Sequence, residues 1–550
     1  MPRAALLDWL DSPSQRGIRF AQPFGDWHFH SYEELAGASR RVAWGLLEAG
    51  VGEGEIVAVA LRGGPEFVAA LFGTMLAGAV PAPVAPPAAF RDAVVYREHV
   101  NRILASAQPS LAIAADDVLP AFGGQAVSLA TLVRDVDETE ATPRRRRAEL
   151  ALVQFTSGSS GHARGVRVPF GALEANVDAI RRWLAMTPED ATASWLPVHH
   201  DMGLIGCLLT PVVNRSDVWL LRPHDFVRSP LRFLRCFGEA GARLTAMPGF
   251  ALAYLARRVR PDELYGLDFS HLRAVIVGSE RLDPEALDRF HRLLAPFGLK
   301  RRAILPAYGL AEATLAVTGL PLAEEWRALE VASGTLGLGR KVQAPIDAAT
   351  SVVGCGRPLG GAEVAILDDE GRPLPEGFVG EIAVRAESVG AGYVSGGGSI
   401  SSTAFVEDGL RSGDAGFVVD GQLFVLGRLG DSMKLRGLTL FAEDLEVALA
   451  GAGIPRNRLA VALGVRDGLP TAVAVLEGSH AHWAPRAYPL LRRLTEGVEV
   501  EIAEVPRGTV ARTSSGKPKR RQLWEAFLDG RLIAEPRPDL AIATTGGAHV

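Results

Sequence analysis

The chain has 550 residues, 48% apolar and 22% charged, with a formal net charge of −5. That composition is that of an ordinary globular protein, long enough for about three or four compact units, and its acidic balance speaks against nucleic acid as a partner. Cys207, Cys236 and Cys355 lie far apart without metal-ligand spacing and read as small buried apolar residues in a reducing compartment.

In chain order, the opening MPRAALLDWLDSPSQR is not a signal peptide, because Asp8 and Asp11 interrupt its apolar run. A cytoplasmic location is expected. Residues 32–50 have helical apolar spacing and end at Gly50; 56–61 is a continuous apolar strand; 65–77 is helical again; 79–82 is a short strand. Residues 67–90 carry no charge and imitate a membrane span. Pro81, Pro83, Pro86 and Pro87 break it, so it reads as a buried helix followed by a buried strand, with no membrane insertion expected. The alternation predicts an α/β protein with parallel sheets covered by helices. Residues 135–149, with an arginine run at 144–147, read as a solvated linker. Past Gly356 the rhythm changes. Short strands at 363–367, 380–384, 415–419 and 422–426, split by Gly, Asp and Pro, predict an antiparallel subdomain over 355–428. A small unit with helix and strand signals follows at 429–535, and 536–550 reads as a disordered tail.

Five stretches carry candidate chemistry. In VQFTSGSSGHARGV (153–166), glycines let backbone N–H groups approach an anion and hydroxyls add donors. A helix over 171–184 would add its N-terminal dipole. Taken alone the stretch is equally a flexible loop; it is neither a P-loop nor a nucleophile elbow. In WLPVHHDMGL (195–204), read as strand, adjacent histidines point opposite ways, so one substrate-facing histidine is favoured over a zinc site. In ILPAYGLAEAT (304–314), a strand runs into a turn presenting Tyr308, suited to stacking on a base, and Glu312, suited to Mg2+. The alternative is a helix cap with a solvated Glu. RSGDAG (411–416) and LGRLGD (426–431) offer an Asp and an Arg at turns, suited to ribose hydroxyls or to turn chemistry alone. Finally, VPRGTVARTSSGK (505–517) is a Ser/Gly turn delivering Lys517, or simply a basic loop, since Lys519, Arg520 and Arg521 follow.

Together, in this order and spacing, these stretches resemble the adenylate-forming superfamily of acyl-CoA synthetases, luciferases and peptide-synthetase adenylation domains, over about residues 32–532. HDMGL at 200–204, GSER at 278–281 and YGLAEAT at 308–314 most resemble the fatty acyl-AMP ligases. The resemblance implies a large N-terminal adenylation domain over 1–428, with two mixed or parallel sheets layered with helices and the β-subdomain, and a small mobile α+β lid over 429–535. It implies an insertion over 320–352 that restrains domain movement. It also implies ATP-dependent activation of a fatty or other apolar carboxylic acid to acyl-AMP, with Mg2+, then transfer to a carrier-protein phosphopantetheine thiol, or alternatively to free CoA.

The roles it implies are these. Thr156, Ser157, Gly158, Ser159, Ser160, Gly161 and Gly165 hold the β- and γ-phosphates. Gly278, Ser279 and Glu280 line the adenine slot, where Tyr308, followed by Gly309, stacks on the base. Glu312 binds Mg2+ and Thr314 lies near the α-phosphate. Asp414 and Arg428 hold the ribose, His200 borders the carboxylate end of the acyl site, and Lys517 bridges that carboxylate and the α-phosphate. Trp195, Met202, Leu204 and the stretch 247–250 edge the acyl pocket. The chain departs from the family pattern at Arg164, where lysine is usual, at His199, where an aromatic residue is commoner, at Gly430, where Asp or Lys is usual, at 438–440, which read Leu-Thr-Leu rather than Arg-Asn-His, and at Pro518.

Overall fold

The computed structural model describes residues 5–87, 93–133, 148–156, 164–346, 349–394, 403–407, 409–435, 438–478, 483–495, 498–512 and 516–532. The chain forms two compact units, one running to Gly430 and one beginning at Asp431. Most of the expected linker at 135–149 and the tail at 536–550 lie outside the described residues, as do Ser157, Gly158, Ser159, Ser160 and Gly161.

The early helices form where the apolar spacing places them. Tyr32–Glu48 opens on a capping box: Ser31 Oγ accepts from the Glu34 N–H at 3.2 Å and the Ser31 N–H donates to the Glu34 carboxylate at 2.8 Å. It packs on Pro65–Leu76, whose interior is buried on all sides. Gly73 permits that approach, since a Cβ there would come within 2.6 Å of the Ser39 carbonyl oxygen. The uncharged run is thus a buried helix followed by the strand Val80–Pro83. Among the described residues no helix is long and apolar enough to cross a membrane.

Among the described residues, the first unit contains a nine-stranded sheet. Its six central strands, Gly17–Ala21, Val218–Leu220, Thr192–Ser194, Leu244–Pro248, Ala274–Gly278 and Ile304–Gly309, are parallel in that spatial order. Antiparallel strands close both edges: Trp27–Ser31 at one, Ala316–Gly319 then Arg357–Pro358 at the other. A four-stranded parallel sheet runs in the order Val80–Pro83, Ile56–Ala60, Leu111–Ala114, Ala126–Val127. A five-stranded antiparallel sheet spans 363–428. The α/β expectation and the antiparallel subdomain therefore both hold. The segment 320–352 contains the strand Ala328–Ala332, which pairs antiparallel with Ala349–Val353.

In the second unit the antiparallel hairpin Ser432–Leu435/Leu438–Phe441 leads into the helix Ala442–Gly451. The strands Leu459–Arg466 and Leu469–Glu477 pair antiparallel, and Glu499–Val505 joins the latter in parallel. The helices Trp483–Leu494 and Arg520–Leu528 complete this α+β unit. The three cysteines are buried, and burial first of all pushes their thiols up, Cys207 to about 11 and Cys236 and Cys355 to about 12.

Candidate active site

The strands on either side of the Gly/Ser stretch pair with each other. Leu150–Thr156 pairs antiparallel with Arg164–Pro169, and Thr156 faces Arg164 in the register. The helix Phe170–Trp183 starts only at the far end of that second strand, where the Phe170 N–H donates to the Glu149 carbonyl. The expected helix therefore forms, with the six-residue strand Arg164–Pro169 between it and the Gly/Ser stretch. Thr156 Oγ1 is buried and makes no hydrogen bond among the described residues. At Gly165 a Cβ would come within 2.7 Å of Val394, since Val394 N–H donates to the Gly165 carbonyl at 2.9 Å.

That pairing carries Tyr393 to Glu312. The Tyr393 hydroxyl donates to Glu312 Oε1 at 2.8 Å. Arg164 lies over the Tyr393 ring, 4.4 Å from its centre, with Nη2 3.9 Å from the same carboxylate oxygen. Glu312 is 4% exposed, which removes the solvated-Glu alternative. A buried, partly neutralised carboxylate is a hard-oxygen ligand of the kind Mg2+ takes singly beside phosphate oxygens. Among the described residues no group of three or more His, Cys, Asp or Glu is arranged to hold a metal.

Tyr308, at the end of Ile304–Gly309, is buried, and its hydroxyl donates to Asp414 Oδ2 at 2.7 Å. Burial and then the Asp414 charge hold its ionisation well above the usual tyrosine value. Asp414 Oδ1 pairs with Arg428 Nε at 2.9 Å, and Arg428 Nη1 donates to the Thr403 hydroxyl at 3.0 Å. Asp414 and Arg428 are direct cross-strand partners inside Gly409–Val419 and Gln422–Arg428, not turn residues as expected. Glycines inside both strands, Gly413 and Gly427, had read as turn signals. Gly309 is sterically required, since a Cβ would fall 1.8 Å from the Leu315 carbonyl oxygen.

Two non-glycine residues here have left-handed backbone, Ser279 at φ +71° and Thr314 at φ +72°. Such strain clusters at working sites. Thr314 is held by a 2.6 Å bond from its hydroxyl to the Ser388 carbonyl. Glu280 accepts from the Phe250 N–H at 2.7 Å, and a Cβ on Gly278 would meet the Ala307 carbonyl oxygen at 2.8 Å.

His199 and His200 sit in a turn, not a strand. The His200 N–H donates to the Pro197 carbonyl, and a π-helix over Met202–Leu209 follows, capped by Asp201. Their rings are 4.6 Å apart, so they do not diverge as strand neighbours would. Burial first, then His200 and His99, hold His199 well below the usual histidine value, which keeps it neutral. Beside this turn lies an apolar cavity of about 70 Å³. Trp183, Met186, Met202, Cys207, Ile276 and Ala307 line it, and Gly278, Ser279, Tyr308 and Gly309 form one wall. The Trp183 indole is fixed by a 2.7 Å bond to the Leu320 carbonyl.

The structure therefore brings Thr156, Gly165, Glu312 and Arg164 together at one place and Tyr308, Asp414 and Arg428 at another, with Gly278 and Ser279 beside the cavity. Lys517 belongs to the second unit, where it is exposed. Tyr393 lies in no motif of the sequence; the bridge between Val166 and Tyr393 brings it to the site.

The AMP-binding enzyme family profile matches residues 11–394. A putative acyl-CoA synthetase of Caulobacter vibrioides is 31% identical, over 91% of this chain and 90% of its own. The medium-chain-fatty-acid–[acyl-carrier-protein] ligase JamA of Moorena producens is 29% identical, over 91% and 90%. A solved structure from work on fatty acyl-adenylate ligases of E. coli and L. pneumophila superposes with a TM-score of 0.87 at 28% identity, over 96% of this chain and 98% of that one.

Proposed function

The chain belongs to the AMP-binding enzyme family, and from that premise we propose that it joins an apolar carboxylic acid to AMP, using ATP, and hands the acyl group to a carrier-protein thiol. One observation carries the reading: the Tyr308–Asp414–Arg428 cluster, the buried Glu312 and the strained Ser279 belong to one unit, and an apolar cavity opens beside Ser279 and Tyr308.

The acid's tail enters the cavity lined by Trp183, Met186 and Ile276, with its carboxylate toward His200. The base stacks on Tyr308 against Gly278, Ser279 and Glu280, and the ribose hydroxyls meet Asp414 and Arg428. Thr156, its hydroxyl unpartnered among the described residues, and the loop through Gly165 receive the β- and γ-phosphates. Glu312 holds Mg2+, which supplies charge neutralisation on the phosphate oxygens. A carboxylate oxygen forms a bond to the α-phosphorus while the bond to the bridging oxygen breaks, and pyrophosphate leaves. Lys517 neutralises the two approaching anions and the charge that develops between them. No covalent enzyme intermediate is required, so positioning supplies most of the rate. In the second step the thiol sulfur bonds to the acyl carbon, the carbon–oxygen bond to AMP breaks, and the thiol proton is released.

Two observations favour a carrier protein as acceptor: the likeness to JamA and the paired strands within 320–352. The second reading, free CoA, is favoured by the likeness to the Caulobacter protein. Incubation with either thiol and mass measurement of the product decides between them. Lys517→Ala is expected to lose acid-dependent ATP–pyrophosphate exchange; undiminished exchange refutes that lysine's role.

A further inference from the structure

Lys517 lies in a short hairpin of the second unit, held from two sides. On one side, Arg512 forms an antiparallel bridge with Pro518 and donates to the Gly516 carbonyl at 3.3 Å and the Leu459 carbonyl at 3.2 Å. The Lys519 N–H closes the hairpin on the Ala511 carbonyl at 2.8 Å. On the other side is Arg520, three residues past the lysine and buried. Its Nη1 donates to Asp431 at 2.9 Å and Glu443 at 2.8 Å; its Nη2 donates to Glu446 at 2.9 Å and its Nε to the same carboxylate at 3.3 Å. Glu446 also accepts from the Val461 N–H at 2.9 Å, which ties the cluster to the strand Leu459–Arg466.

One arginine thus gathers three carboxylates from two parts of the chain. A buried ionic cluster is a poor source of stability, because desolvation offsets the attraction, and its best-attested use is to fix register. Here the partners define what is registered. Asp431 is the first residue of the unit, directly after Gly430, where the backbone is least restrained. Glu443 and Glu446 lie on the helix Ala442–Gly451. Arg520 begins the helix Arg520–Leu528 and stands within about 10 Å of chain from Lys517.

We propose that Arg520 is a positioning residue for Lys517, fixing the lysine hairpin against the start of the second unit and the helix Ala442–Gly451. The proposal rests on the adenylation reading above. Glu443 adds a proton-dependent element to the same cluster. Its Oε2 is buried without a hydrogen-bond partner among the described residues, and burial first, opposed by Arg520 and reinforced by Asp431 and Glu446, pushes its carboxyl up to about 7. Arg512, facing Glu446, Glu477 and Arg520, is a further charged group against this cluster, as is Glu477 beyond it.

The test uses the full-length chain with Arg520→Met, Arg520→Lys and Asp431→Asn, with far-UV circular dichroism and thermal melts as fold controls. In acid-dependent ATP–pyrophosphate exchange, Arg520→Met is expected to lower kcat by about 10- to 100-fold, with KM for ATP and acid within about twofold. Arg520→Lys is expected to recover part of the loss. A folded Arg520→Met enzyme with unchanged kcat, or one whose loss lies in KM, overturns the proposal. If Arg520→Met does not fold, Asp431→Asn decides: a severalfold fall in kcat supports it and an unchanged kcat overturns it. Absence of exchange in the unaltered chain with every acid would remove the adenylation reading and this proposal with it. Intact exchange with silent variants removes the proposal alone.

Discussion

Trp183→Ala should lengthen the acids that the enzyme accepts. The indole lines the cavity, anchored by its bond to the Leu320 carbonyl and set so close to Gly319 that a Cβ there would lie 2.3 Å from Trp183 Cζ2. The cavity is about 70 Å³, and removing the indole enlarges it on the side that Trp183 lines. Each methylene newly buried contributes about 0.8 kcal/mol, or about fourfold in kcat/KM. An opening for about three methylenes then favours the longer acid by about 2.4 kcal/mol, roughly 60-fold. The half-buried indole and its one hydrogen bond put the stability cost at about 2–3 kcal/mol. The assay is pyrophosphate exchange over a series of straight-chain acids, with a thermal melt for each protein. A folded variant whose chain-length profile matches that of the unaltered enzyme would refute the placement of the acyl tail.

Other outcomes follow from the same geometry. Glu312→Gln keeps an acceptor for the Tyr393 hydroxyl but loses the charge, so the Mg2+ concentration for half-maximal exchange should rise by at least about tenfold; an unchanged requirement would put the metal elsewhere. Asp414→Asn weakens the pair with Arg428 and should raise KM for ATP by about 10- to 100-fold, the loss of roughly 1.5–3 kcal/mol of charge-assisted bonding, while KM for the acid stays put. Glu443, with a folded value raised from 4.5 to about 7, favours the folded second unit fully below its unfolded value, and that contribution is lost as pH rises through about 7. Glu443→Gln should therefore flatten the pH dependence of that unit's melting between about pH 4.5 and 7; an unchanged slope assigns the effect to another group.

Where apolar spacing is regular, the sequence sufficed: the helix at 32–50, the buried helix and strand at 65–83 and the antiparallel strands past 356 form where their periods indicate. The failures share a cause, which is that a local pattern was compatible with two backbones. The apolar run after His200 has no period that separates strand from helix, and it winds as a π-helix. Gly413 and Gly427 look like turn punctuation, yet they sit within paired strands. The stack of Arg164 on Tyr393 joins residues brought together only by sheet pairing, so the substitution at 164 could be noticed in the sequence but its partner could not.

The nine-stranded sheet also sets a timetable for synthesis. Gly17–Ala21 emerges well before its parallel neighbour Val218–Leu220, which follows 197 residues later (218 minus 21). At about 5–20 residues per second the ribosome needs roughly 10–40 s to supply it. Through that interval an apolar strand with buried Ile18 and Phe20 waits with one edge unpaired. The far edge, Arg357–Pro358, appears later still. The long sheet thus waits for distant partners, whereas the four-stranded sheet over 56–127 can pair as its strands emerge.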